Sequence, residues 1–311
     1  MSLSSQGILG NNTRIREYIL PHNRRQHYPF VDNKIKTSEL LIKDSIPTPN
    51  LFFSISGMGE SKGFHEKIKE YPSFVIKPAK GAMGNGIVIA EAMNWDEQRN
   101  KTHFKTTRRE TMTFAAMMYH ISSILSGLYS LSGQPDQVMV QELLNLDPFF
   151  KPITHQGVPD IRVILFYGFP VMAMLRLPTS LSGGRGNLHQ GAVGCGIDLK
   201  TGTLTHAIQN NRSLTEHPDT GSRIKGLSIP SWDKTLNLAA RCAKVADINY
   251  LGVDMVLDPD KGPMVLELNA RPGLSIQLAN KKGLLPRLEK IKERLNDGLS
   301  LEDKILFSKD F

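Results

Sequence analysis

The sequence predicts an α+β protein, and three observations predict it. Short runs of aliphatic and β-branched residues come in pairs around turn formers. Residues 161–166 and 171–175 flank Gly168-Phe169-Pro170, and 251–257 and 264–269 flank Asp258-Pro259-Asp260-Lys261-Gly262-Pro263. Helical periodicity falls between such pairs, so hairpins mixed with helices replace the strand–helix alternation of a doubly wound parallel sheet. Hydrophobic residues make up 40% of the chain and 26 residues are glycine, enough apolar material for a packed core. At ~100–200 residues per domain, the chain makes two modest domains or one elaborate one.

Residues 1–31 are rich in Arg, Asn and Tyr and read as irregular. Asp32 is the expected N-cap of a helix through Ile35, Leu41 and Ile42, stopped by Ser45-Ile46-Pro47-Thr48-Pro49. A strand at 73–77, the glycine loop Lys80-Gly81-Ala82-Met83-Gly84-Asn85-Gly86 and a strand at 87–89 form a hairpin. Residues 111–135 carry no Asp, Glu, Lys or Arg, but Thr111, Thr113, His120, Ser122, Ser123, Ser126 and Ser130 interrupt the run. Within it Phe114, Met118, Ile121, Leu125 and Leu128 recur every three or four residues, the stripe of an amphipathic helix and not of a membrane span. A strand follows at 138–142. Beyond the 161–175 hairpin come the loop Ser182-Gly183-Gly184-Arg185-Gly186-Asn187 and a hairpin turning at Lys200-Thr201-Gly202. Ser231 is the expected cap of a helix carrying Trp232, Leu236, Ala239 and Ala243. The final hairpin, a Lys- and Glu-rich helix near 286–295 and a charged tail complete the chain.

The formal charge is +8, which favours an anionic ligand or partner without choosing among nucleotide, nucleic acid and acidic peptide. No aromatic-interleaved basic stripe accompanies it, so charge alone recommends nucleic acid. Cys195 and Cys242 cannot form a disulfide framework, and MSLSSQGILG lacks the basic-then-apolar pattern of a secretory signal. A soluble, cytoplasmic protein is the expectation.

The final hairpin carries the strongest chemical signal. With its turn centred between Asp260 and Lys261, Asp254 faces Glu267, and Asn269, two residues on, shares their face. Facing carboxylates repel unless a cation joins them, and an oxygen-only set suits Mg²⁺ or Mn²⁺. Taken alone, the same residues also suit a solvated strand face. Lys77 ends a strand before the loop of Gly81, Gly84 and Gly86, where backbone N–H groups can approach phosphate oxygens. The loop is neither a Walker A nor a dinucleotide fingerprint, and a plain turn fits it as well. Lys34, near a helix start, opposes the helix dipole unless a phosphate is bound. Asp160 and Arg162 share a strand face as a candidate ion pair, and Arg271 follows the acidic hairpin as a candidate carboxylate binder. His189 and Cys195 lack the spacing of a zinc site or a nucleophilic dyad.

The order of these features, from about Asp32 to Leu295, resembles the ATP-grasp superfamily and, within it, the RimK-type α-L-glutamate ligases. The resemblance implies two α+β lobes gripping a nucleotide, 32–141 with the glycine lid and 142–295 with the metal site, before a tail at 296–311. It matches Lys34 to a nucleotide-contacting lysine, Lys77 to the triphosphate lysine, and Gly81, Gly84 and Gly86 to the lid. Glu142 and Leu143 match the hinge beside the adenine, Asp160 and Arg162 the Asp-Ile-Arg element, and Arg185 and Asn187 the Arg-x-Asn loop. Asp254, Glu267 and Asn269 match the metal trio, and Asn269 to Gly273 the closing Asn-x-x-Pro-Gly. ATP with Mg²⁺ or Mn²⁺ and an ADP-forming carboxylate–amine ligation through an acyl phosphate are thereby implied, with Arg162 or Arg271 on the acceptor carboxylate or the oxyanion. The substrates implied are small-molecule or peptide carboxylates and amines. A kinase of the same fold and a non-catalytic ATP-binding module are the alternatives. Most such ligases carry a sizeable domain ahead of the Asp-x-Lys segment, where this sequence has 31 residues. A second copy or a partner protein is the candidate to complete the substrate pocket.

Overall fold

A computed structural model describes residues 7–81, 84–96, 101–106, 111–130 and 133–311. Ala82 and Met83, within the glycine loop, lie outside the described residues. The chain divides into two compact units, one of Asn33–Ser38 and Pro49–Leu144, the other of the residues up to Asp32, Glu39–Thr48 and Asn145–Phe311.

The first unit is built on an antiparallel sheet of β1 (Leu51–Ile55), β2 (Phe74–Pro78), β3 (Val88–Asp96), β4 (Lys101–Thr106), β5 (Thr111–Thr113) and β6 (Val138–Gln141), in the order β1-β6-β2-β3-β4-β5. The β2–β3 pair is the expected glycine-loop hairpin. Strands β1, β4 and β5 were not expected. Lys101-Thr102-His103-Phe104-Lys105-Thr106 has one buried apolar residue, Phe104, too few for a period-two signal. The expected long helix is confined to Phe114–Leu125, because Thr113 accepts from the Ala116 N–H at 3.2 Å and caps it. It buries Met117, Ile121, Ile124 and Leu125 against Phe64, Phe74 and Phe104, while Leu128 is 68% exposed. No helix among the described residues is long and apolar enough to cross a membrane.

The second unit holds an antiparallel sheet in the order β11-β10-β9-β8-β7-β12-β13. Its strands are β7 (Asp160–Phe166), β8 (Phe169–Leu177), β9 (Val193–Ile197), β10 (Leu204–Gln209), β11 (Arg212–Leu214), β12 (Tyr250–Asp258) and β13 (Gly262–Asn269). Both faces are covered. Ile161, Val163 and Leu165 of β7 join Leu251, Val253 and Met255 of β12 under Trp232, Leu236 and Ala239 of the helix Trp232–Ala246. Ile164 and Phe166 point the other way with Met172, Met174 and Tyr250, beneath Tyr18, Leu284 and Leu288. The β7–β8 turn is tighter than expected, with Tyr167 and Gly168 at φ 51° and 80° and Phe166 paired to Phe169.

Several boundaries differ from expectation. Residues 14–19 form a stretch of π-helix burying Tyr18 and Ile19, so the N-terminal segment is not irregular. Asp32 ends a short helix, Pro29–Asp32. Asn33 caps the next helix, Lys34–Lys43, its Oδ1 accepting from Ile35 and Lys36 N–H at 3.0 and 3.2 Å. Ile42 on that helix is 55% exposed. Ser231 precedes its helix in a left-handed conformation and makes no side-chain cap. The charged tail contains a helix, Leu301–Ser308, started by a Ser300–Asp303 capping box. Replacing Asn33 by Ala is expected to cost about 1 kcal/mol in urea unfolding, whereas Asn33→Asp, which keeps an acceptor, stays near wild type.

Candidate functional site

In the first unit, Lys77 lies on β2, 7% exposed, paired across the ladder with Met139. The strand leads through Pro78 and Ala79 into the glycine loop. Lys34, the first residue of its helix, donates its backbone N–H to Ala79 O at 2.9 Å and its Nζ to Gly81 O at 2.5 Å. The loop's stems are fixed further by Asp136, which accepts from Lys80 N–H at 2.9 and 3.2 Å. His120 Nε2 donates to Gly86 O at 2.9 Å. Burial lowers the His120 pKa, so the neutral imidazole is the donor. A Cβ at Gly81 would enter the Pro78 ring, and one at Gly86 (φ 75°) would sit 2.7 Å from the Tyr129 ring. Gly84 lies between them at φ 73°. Glu142 follows β6, where its N–H donates to Asn50 O at 2.9 Å and its carboxylate accepts from Asn50 N–H at 3.2 Å. Leu143 beside it is half-buried.

In the second unit, strand parity gathers the charged residues. Asp160 and Arg162 share the β7 face of Ile164 and Phe166, and Arg176 shares the β8 face of Met172 and Met174. Asp160 pairs with Arg176 in register, and Arg162 with Asp254. Asp254 faces Glu267 as expected, though by an unexpected route. Nearer the turn, Met255 pairs with Val265 and Asp258 with Gly262, one residue off the expected register. A bulge at Leu266 absorbs the offset. Without it Glu267 would fall on the Val253 side, inside the opposite core.

The ion pairs differ from the expected Asp160–Arg162 pair. Arg162 holds Asp254 with two bonds of 2.6 Å, Nε to Oδ1 and NH2 to Oδ2. Arg176, not foreseen, bridges Asp160 at 2.5 Å and Asp254 at 2.8 Å. Its signal was there to read, as the one charge in Phe169–Leu177, on the parity that meets Asp160. Asn269 Nδ2 donates to Asp254 Oδ2 at 3.1 Å. Burial alone would raise the Asp254 pKa, but Arg162 and Arg176 outweigh it and hold the carboxyl down to about 2. Asp160 is pushed up to about 6 by burial and by Asp254, against the pull of Arg176. Glu267 is half-buried.

The remaining candidates border this cluster. A Cβ at Gly186 would lie 2.8 Å from Asp160 Oδ2, so the 182–187 loop packs on that carboxylate. Asn187 Oδ1 accepts from His189 N–H at 3.0 Å, and Arg185 lies 3.5 Å from Gln190 Oε1. Arg271 is half-exposed, 4.8 Å over the Tyr28 ring and 3.9 Å from Asp32.

Residues 13–293 match the sugar-transfer associated ATP-grasp family. The chain belongs to this ATP-grasp family. A probable α-L-glutamate ligase from Syntrophotalea carbinolica is 23% identical over 263 residues, 84% of this chain and 63% of that protein. The chain thus spans less than two thirds of that relative's length. Among solved structures, the ATP-grasp ligase PsnB with a minimal precursor aligns at 16% identity and TM-score 0.44, over 91% of this chain and 64% of that one. D-alanine–D-alanine ligase from Bacillus anthracis aligns at 15% and 0.46, over 99% and 77%.

Whether the ATP-grasp chain's residues suit a divalent ion turns on the donors. Among the described residues no group of three or more His, Cys, Asp and Glu is arranged to hold a metal. The candidate set is two carboxylates and an amide, all hard oxygen donors. Asn269 Nδ2 is turned to Asp254, which leaves its Oδ1 as the amide oxygen that could face a cation. Mg²⁺ takes one or two carboxylates and completes its shell with water and phosphate oxygens, so these residues fit it without an all-protein cage.

Removing Arg176 exposes the electrostatics of the cluster. Arg176→Met is expected to lose about 3–5 kcal/mol in urea unfolding at pH 8, because it strands Asp160 and takes one of two guanidiniums from buried Asp254, which keeps Arg162. The folded variant then binds more protons than the unfolded chain, so the deficit is expected to shrink as pH falls towards 5.

Proposed function

We propose that the chain is an ATP-dependent carboxylate–amine ligase that joins glutamate or another amino acid to an acceptor and releases ADP and phosphate. The observation that carries this reading is the single sheet face on which Asp254, Glu267 and Asn269 meet Arg162 and Arg176. An acidic oxygen set beside two half-buried guanidiniums serves both a metal–phosphate group and a substrate carboxylate.

The first unit contributes nucleotide contacts. Lys77 places a charge on the triphosphate, the loop amides from Gly81 to Gly86 close on it, and Lys34 and the 142–143 backbone hold the rest of the nucleotide. Asp254, Glu267 and Asn269 would hold Mg²⁺ or Mn²⁺, which supplies neutralising charge for the β- and γ-phosphates. Arg162 keeps Nε and NH2 on Asp254, and its NH1, 4.0 Å from where a Cβ at Gly273 would sit, is the edge that would take the acceptor carboxylate. Arg271 is the second carboxylate binder. The carboxylate oxygen bonds to the γ-phosphorus as the β–γ bridging bond breaks and ADP departs. The amine nitrogen then bonds to the acyl carbon, loses its proton, and the C–O bond to phosphate breaks. No side-chain nucleophile is required, and positioning and charge do the chemistry.

Incubation with Mg·ATP and pooled amino acids, peptides and small carboxylates is expected to give ADP, free phosphate and a new amide mass. Phosphate retained on a hydroxyl would mark a kinase, and binding without turnover an ATP-binding module. Glu267→Gln and Lys77→Ala are each expected to cut ADP formation by about 10²–10³ in folded protein. Wild-type turnover in either would remove that residue from the site.

A further inference from the structure

The N-terminal segment touches the site from behind. Three ties fasten it to the rest of the second unit. Gln277 Oε1 accepts from Leu9 N–H at 2.8 Å while Nε2 donates to Leu9 O at 3.1 Å. Asn23 makes the same double bond to Tyr250, donating to its O and accepting from its N–H, each at 2.8 Å. The third tie is of another kind. Arg14, 8% exposed and inside the π-helical stretch, donates NH1 to Pro272 O and NH2 to Asn11 Oδ1 at 2.6 Å, while its Nε has no hydrogen-bond partner among the described residues.

A buried guanidinium is a costly way to hold a segment that two neutral amide clamps already hold. What Arg14 adds is a hold on one carbonyl of the turn that follows Asn269. That turn is close-fitted on its other side, since a Cβ at Gly252 would lie 2.6 Å from Pro272, and Gly252 pairs with Asn269. The same segment reaches the turn's exposed side, where Tyr28 underlies the Arg271 guanidinium and Asp32 lies 3.9 Å from it. Pro272 is thus fixed from both sides; Arg271 directly precedes it, and Asn269 lies three residues before it at the start of the same turn.

We propose that Arg14 is a positioning residue that sets the Asn269–Gly273 turn, and through it the metal-ligand oxygen of Asn269 and the guanidinium of Arg271. The metal part of this proposal rests on the functional reading above, and the turn-setting part does not. A partner holding a ligand in place affects metal affinity on the scale of about 10–100-fold.

Two measurements on Arg14→Met, Arg14→Lys and Tyr18→Phe test it. Tyr18→Phe is the control, because it removes a part-buried bond from the same segment to Glu289 without touching the turn. Amide hydrogen exchange followed by mass spectrometry is expected to rise at 269–274 in Arg14→Met, to return towards wild type in Arg14→Lys, and to stay unchanged there in Tyr18→Phe. Mn²⁺ binding in the presence of ADP, followed by electron paramagnetic resonance, is expected to weaken about 10-fold or more in Arg14→Met and not in Tyr18→Phe. Unchanged exchange at 269–274 in a folded Arg14→Met overturns the proposal, as does Mn²⁺ affinity equal to wild type. A wild-type protein that binds no Mn²⁺ with ADP overturns the functional reading instead, and the exchange result then decides the turn-setting role by itself.

Discussion

The candidate site depends on the two-residue period of the β-strand. Each strand of the second sheet gives alternate residues to a core on either side, so a charge survives only where one of those cores gives out. Asp160 and Arg162 on β7, Arg176 on β8 and Asp254 on β12 all take the parity of Ile164, Phe166 and Met174. Strand β13 begins on the wrong parity, and the extra residue at Leu266 turns Glu267 and Asn269 onto the shared face. One bulged residue therefore separates an oxygen cluster from a pair of polar groups buried in the opposite core.

Gathering charges on a covered face creates an electrostatic problem that the cluster answers internally. Asp254 is 4% exposed, and its two oxygens accept from two guanidiniums and an amide. It stays ionised because those cations outweigh its desolvation. Asp160 shares Arg176 with Asp254, gets less compensation, and is raised where Asp254 is lowered. Two carboxylates of similar burial thus part in acidity through the distribution of arginines around them.

The first unit answers a different demand. There the polar side chains go to the stems of the glycine loop. Asp136 on Lys80, Lys34 on Gly81 and His120 on Gly86 hold those stems through backbone atoms. Pro78 and Tyr129 leave room only for glycine at positions 81 and 86. The lysine that opposes its own helix dipole is thereby given a local partner, a carbonyl of the loop.

The sequence alone determined what depends on near neighbours. It showed the hairpins, the face shared by Glu267 and Asn269, the glycine loop behind Lys77, and an order of motifs legible as ATP-grasp. It misplaced the cap at Asp32, because Asn33 beside it is an equally good acceptor and the bend after Pro29–Asp32 decides between them. It paired Asp160 with Arg162, because two residues on one strand face look like partners until neighbouring strands bring Arg176 and Asp254 closer. Tertiary structure alone decided the Leu266 bulge, the sharing of Arg176, and the reach of Arg14 to a carbonyl 258 residues away. The physical reason is that spacing along a strand fixes which side a residue faces, whereas what it meets there is set by the packing of segments remote in sequence.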